Sequence, residues 1–288
     1  MSPSTKKKLC VTCKSEISGH YCSNCGEKVI DEKDYSIKTF LHNTLHAFTN
    51  IDNTAFRSFY YLIKRPGFLT KEYLTGRRKP YLKPVQIFLI ANLIYFIVQP
   101  LTKFNGFNTP LHTQMHRLPY SRIASVMVEN KLEKSNVSYD DYERIYNTRS
   151  TTYAKSLIFL MIPMVALILK LLFIKSNRCF VEHLIFSIHM FSFYILYIFV
   201  LLFMILHFVI VWLYKLIPDP GSYNGVIEGL SILIVIITLF IYLYHAMNCF
   251  YGGRKITNAL KSIVIPVGIL FLIQVYRFIL FFITFYTT

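Results

Sequence analysis

The first 84 residues mix polar and apolar positions, whereas from Val85 onward the chain is built mainly of long apolar runs. The run at 184–214, "LIFSIHMFSFYILYIFVLLFMILHFVIVWLY", holds no Lys, Arg, Asp or Glu in its 31 residues. A helix of that length crosses a hydrocarbon layer of about 30 Å. Five such runs predict spans at about 85–101, 156–174, 184–214, 226–247 and 262–286. The third is long enough to be a hairpin, but it has no central Gly or Pro, and one tilted or protruding helix is the simpler expectation.

A second pattern precedes the spans. Ile37, Leu41, Leu45, Phe48, Ala55, Phe59 and Ile63 recur at helical spacing with Lys38, His42, His46, Asn50 and Arg57 between them. This predicts an amphipathic helix on a membrane surface, with a break near Asp52-Asn53. Pro66-Gly67 ends it, Phe68 to Thr75 forms a short helix, and Gly76 serves as its C-cap. Pro80 and Pro84 turn the chain toward the first span. Between the first two spans, 102–155 reads as an extracytoplasmic loop. There Val126, Leu132, Tyr142 and Ile145 support helix but no independent core.

The predicted fold is thus an all-α polytopic membrane protein of about five transmembrane helices. A small N-terminal ribbon (1–30) and a cytosolic amphipathic collar (31–84) precede the bundle (85–288). Composition agrees, with 54% hydrophobic and 16% charged residues among 288. The net charge of +16 does not point to nucleic acid, because Lys64, Arg65, Lys71, Arg77, Arg78, Lys79 and Lys83 crowd beside the first span. Cations placed so are topogenic and attract anionic lipid headgroups. With the N-terminus in the cytosol, this cluster, then Lys175 and Arg178, then Arg254, Lys255 and Lys261 all fall inside. The C-terminus then lies outside. Residues 1–35 contain no apolar h-region, so no secretory signal peptide is expected.

The chemistry sits at the N-terminus, in "CVTCKSEISGHYCSNCGEK". Cys10, Cys13, Cys22 and Cys25 form two Cys-x-x-Cys pairs whose thiolates suit one tetrahedral structural zinc. Gly26 supplies the backbone bend after the second pair. So short a module has too little apolar surface to fold without the ion, which links metal binding to folding. A redox dithiol, paired disulfides and a rubredoxin-type iron centre are the alternatives. No strand-helix pattern of a thioredoxin surrounds either pair, and a cytosolic location disfavours disulfides. Cys179 and Cys249 read as isolated thiols.

Within the spans, ionisable groups mark candidate function. Glu182, His183 and His189 open the third, and His245 and Asn248 close the fourth at similar depth, with Tyr251 beyond. Three accounts stay open for this cluster: a second metal site, a proton or ion relay, and interfacial residues that tie helices together. Arg277, one turn after Gln274, either snorkels outward or pairs with Glu228, and His207 is interfacial. The sequence carries no Gly-x-Ser-x-Gly, His-Glu-x-x-His, phosphate-binding loop or dinucleotide fingerprint.

"CxxC…YCxxCGE", "RPGFLTKEYLTGRRKPYLKPVQIFL", "FVEHLIFSIH" and "YLYHAMNCFYG" occur in the order found in a family of uncharacterised bacterial membrane proteins, a domain of unknown function, which the chain resembles. The resemblance implies a zinc ribbon, a collar and a Glu-His segment opening a later span. Its collar positions are Pro66, Gly67, Glu72, Tyr73, Gly76, Arg77, Arg78, Tyr81 and Pro84, with Glu72 placed to pair with Arg77 or Arg78. Glu27 stands where many relatives carry Gln. No established activity comes with the family. The expected role is an adaptor, assembly or regulatory component whose ribbon docks a protein partner. The rival is a transporter or lipid-handling protein, or a membrane enzyme, that uses the Glu/His cluster.

Overall fold

The computed structural model describes residues 8–17, 19–29, 54–102, 109–135, 137–202, 208 and 224–288. The amphipathic stretch at 37–53, His207, the loop with Lys215 and Asp219, and the side chain of Glu228 lie outside the described residues. Two short strands come first, β1 (Lys8–Leu9) and β2 (Glu16–Ile17). The remaining elements are helical: α1 (Thr54–Lys64), α2 (Phe68–Thr75), α3 (Pro84–Thr102), α4 (Leu111–His116), α5 (Ser121–Ser135), α6 (Tyr139–Leu172), α7 (Phe180–Phe193), α8 (Asn224–Phe250) and α9 (Lys255–Thr287). A π-helix at Tyr194–Leu202 continues α7.

Four segments are long and apolar enough to cross a membrane: Tyr139–Leu172, Phe180–Tyr197, Leu233–Phe250 and Lys255–Thr287; the apolar Pro84–Gln99 is shorter. Hydrocarbon offers no partner to backbone amides, so helices that satisfy their own are the economical solution. Burial separates one span from the others. Phe180–Tyr197 is 72% buried within the protein, against 22–33% for the other three. Leu167, Leu171, Ile236, Ile241, Leu270 and Phe271 accordingly remain exposed, as lipid-facing side chains do.

The chain divides into two compact units, Met1–Thr102 with Lys170–Ile263, and Lys103–Leu169 with Val264–Thr288. In the first, α3 packs along α7 and its π extension, α2 packs against α7 and α8, and α1 contacts α2, α3 and α7. The turn before α2 sets this arrangement. Gly67 has φ 79°, and a Cβ added there would lie 2.5 Å from the Ala246 carbonyl oxygen in α8. Gly76 closes α2 with φ 100°, its N–H and that of Arg77 returning to the carbonyls of Tyr73 and Glu72. This is the predicted glycine C-cap.

In the second unit, Leu111, Met115, Ala124, Val128, Tyr142 and Tyr146 form a core with Phe281 and Phe285 of α9. The loop's side chains therefore do find a core, but only with two aromatic rings from the last span. Of the four residues expected to support helix there, Tyr142 is buried and Leu132 packs at the core's edge, whereas Val126 and Ile145 are exposed. Burial raises the Tyr120 phenol above its ordinary range, and the Arg277 charge offsets only part of that. Lys131 reaches the Phe285 carbonyl at 2.8 Å.

Gly67→Ala combines a left-handed backbone with a clash against main chain and is expected to cost about 2 kcal/mol or more. Gly252 also has positive φ, but an added Cβ meets nothing within 4 Å, so Gly252→Ala should lose only about 1 kcal/mol. Thermal melts of the two variants in detergent check the order.

Candidate functional site

The N-terminal cysteines fold as two copies of one hairpin. In the first, Leu9 pairs with Glu16, Cys10 N–H donates to the Ser15 carbonyl at 2.8 Å, and Lys14 N–H returns to the Cys10 carbonyl at 3.0 Å. In the second, Tyr21 bridges Lys28, Cys22 N–H donates to the Glu27 carbonyl at 2.8 Å, and Gly26 N–H returns to the Cys22 carbonyl at 2.8 Å. Each copy turns through a residue of positive φ directly after its second cysteine, Lys14 at 64° and Gly26 at 70°. The expected bend at Gly26 is present. Its counterpart at Lys14, and the repeat itself, were not foreseen from the sequence.

The hairpins bring all four Sγ atoms within 4.8 Å of one another. Cys10 to Cys25 and Cys13 to Cys22 are both 3.5 Å. Sulfurs bound about 2.3 Å from one tetrahedral ion are about 3.8 Å apart, so the set fits a single metal. All four are free thiols. Among the described residues, no other group of three or more His, Cys, Asp or Glu side chains converges in this way.

Ser15 favours the charged form of two of these ligands. Its hydroxyl lies 2.9 Å from Cys13 Sγ and 3.1 Å from Cys22 Sγ. That contact holds both thiols below their ordinary value, Cys22 at about 6. Nothing in the Cys-x-x-Cys spacing announces this serine.

Glu27 joins the ribbon to the collar. One carboxylate oxygen accepts from the Thr12 hydroxyl at 2.8 Å and from the Lys79 N–H at 3.1 Å. The residue is 5% exposed, and the Lys79 ammonium also donates to the Cys25 carbonyl. The resemblance had marked Glu27 only as a position where relatives vary. Its partner lies 52 residues away, beyond the reach of local pattern.

The collar holds together by pairs the sequence named and by others it did not. Glu72 meets Arg77 at 3.1 Å. The Arg78 guanidinium covers the Tyr73 ring at 4.5 Å, and its Nε donates to the Tyr73 carbonyl at 3.0 Å. Tyr81 stands edge-on to Tyr61 and Phe68 at 5.8 and 5.9 Å. Ser58 in α1 accepts from the Leu82 N–H at 2.8 Å, tying α1 to the approach to α3. Burial, with Arg78 beside it, pulls the Lys83 ammonium below the ordinary lysine range.

The five polar residues at the span ends have separate partners. Glu182 accepts from the Cys179 N–H at 2.8 Å and pairs with Arg178 at 2.9 Å, completing the start of α7. Arg178 also donates to the Phe250 carbonyl at 2.8 Å, at the C-terminus of α8. His183 Nδ1 lies 2.7 Å from the Tyr251 hydroxyl. His189 Nδ1 shares a buried 2.9 Å hydrogen bond with Thr70 in the collar. Asn248 accepts from Asn258 at 2.8 Å, and His245 is exposed with its ring against Tyr244. Their ligand atoms do not gather around one point.

Residues 52–96 match the family model described as Protein of unknown function (DUF3667). The matched segment runs from just before α1 through α2 into α3, so the likeness covers the collar from residue 52 onward and most of the first apolar helix. No curated protein and no solved structure matches the chain.

The Ser15 contact favours the thiolate at Cys13 and Cys22, and so opposes the protonation that would displace an ion held there. Ser15→Ala removes the hydrogen bond that favours the thiolates, so acid-driven release of the bound metal should move upward by about half a pH unit. A metal-indicator titration against pH reads the midpoint directly.

Proposed function

We propose that the protein is an adaptor, assembly or regulatory component of the bacterial inner membrane, with a cytosolic zinc ribbon that docks a protein partner. The observation that carries this reading is the Glu27 carboxylate, which joins Thr12 of one hairpin to Lys79 of the collar. Tetrathiolate coordination leaves a metal no open position for substrate, so the ribbon's useful surface is its outside. The collar is itself fastened to the bundle at Gly67 against Ala246 and at Thr70 against His189. A partner's hold on the ribbon therefore has a rigid route to the spans. Zinc is favoured by four thiolates in a reducing compartment. The Lys and Arg excess around the collar and beside Lys175 and Arg254 supports a cytosolic N-terminus, contact with anionic headgroups and an extracytoplasmic C-terminus.

Deleting residues 1–30 should abolish co-purification of the partner while leaving membrane insertion intact. Glu27→Ala, with the metal retained, should keep partner binding but free the Lys79 amide, whose hydrogen exchange should quicken by about tenfold or more. Capture that survives the deletion would defeat the reading.

A second reading, transport or lipid handling, draws on His183, whose Nε2 is buried without a partner among the described residues. On this reading His183, with Glu182, His189, His245 and Asn248, serves an activity at the inner leaflet. It predicts a pH-dependent flux or lipid transfer in vesicles that His189→Ala removes. An unchanged rate in that variant would count against it.

A further inference from the structure

Helix α4 carries a feature that neither the ribbon nor the collar explains. Its Leu111, Gln114 and Met115 are buried in the second unit, which turns His112 and His116 to solvent on the opposite face. Residues four apart on a helix are neighbours. The two imidazoles lie side by side, centroids 4.5 Å apart and planes 25° from parallel. His116 Nδ1 is 2.9 Å from the His112 carbonyl. A carbonyl can only accept, so Nδ1 carries a proton, and in the neutral imidazole Nε2 presents a lone pair. A ring fixed through Nδ1 to a backbone carbonyl, with Nε2 free, is the arrangement that metal-binding histidines use.

The short helix is held by more than its own backbone. Leu111 N–H donates to Asn147 Oδ1 at 2.8 Å and His112 N–H to Glu143 Oε1 at 3.3 Å, both from α6. At its other end, Arg117 N–H closes on the Thr113 carbonyl at 3.0 Å. We propose that His112 and His116 form a two-imidazole site for a divalent first-row transition ion, distinct from the tetrathiolate ribbon. Nitrogens each 2.0–2.1 Å from one ion are about 3.4 Å apart, and lone pairs in stacked rings run nearly parallel, so the exposed His112 ring swings out of the stack to share an ion with His116 Nε2. Imidazole ligands select zinc, copper or nickel over magnesium and calcium, and water fills the remaining positions. Glu143 and Asn147 act as positioning residues that keep the helix, and with it the pair, against α6.

The test is zinc stoichiometry by equilibrium dialysis of untagged, full-length protein in detergent. Wild type is compared with His112→Ala/His116→Ala and with a variant in which Cys10, Cys13, Cys22 and Cys25 are serine. The histidine variant should bind one equivalent fewer than wild type and, in metal-free buffer, keep the same melting temperature, because both side chains are exposed. The cysteine variant, wherever it can be isolated, should keep the equivalent that the histidine variant lacks. Equal zinc in wild type and the histidine variant overturns the proposal, whatever happens at the cysteines. Loss of that equivalent with a melting temperature lowered even in metal-free buffer also overturns it, since the histidines would then be structural.

Discussion

The approach of Gly67 to the backbone of Ala246 is the contact on which the first unit depends. No other residue lets α2 reach α8 so closely, because any Cβ would collide with main-chain atoms that have no rotamer to escape into. That approach seats α2 between α7 and α8, where Thr70 meets His189. With α2 fixed, Gly76 reverses the chain and presents Lys79 to Glu27. Ribbon, collar and span are thus connected in series. The family match over residues 52–96 falls on the middle of that series.

Helix α7 is the other organising element. Its span is more than twice as buried as the remaining three, so the polar residues near its start face protein instead of lipid. Buried polar groups need partners, and each finds one on a different neighbour: Thr70 of α2, Tyr251 after α8, and Arg178 just ahead of α7. These bonds fix the helix's rotation and depth. Arg178 does two jobs at once, neutralising Glu182 and capping the carbonyl end of α8, where a cation is favoured by the helix dipole.

What was legible in the sequence was what local chemistry decides. Apolar runs marked the membrane-length helices, Gly76 the cap, Glu72 its pairing with Arg77, and the Cys-x-x-Cys pairs a cluster that could hold a metal. What was not legible came from long-range geometry: Glu27 with Lys79, Thr70 with His189, Gly67 with Ala246. The sequence grouped Glu182 and His189 at the opening of one span, yet the first is absorbed by the helix start and the second by the collar. His245 shares their approximate depth in the chain pattern but points away, a matter of helix rotation that hydropathy alone does not resolve. The core of the second unit was obscured for a related reason, since half its aromatic rings come from a helix more than a hundred residues later.

The repeated hairpin has one asymmetry. Lys14 adopts a left-handed backbone that its side chain disfavours, whereas Gly26 takes the same turn without penalty and also lies against Lys79. The two halves of the cage are therefore unequal: among the described residues, the strained one reaches the collar through Glu27, whereas the relaxed one also meets Lys79 directly. The collar thus grips the cage through one hairpin and leaves the other to its sulfurs and to the Thr12–Glu27 hydrogen bond.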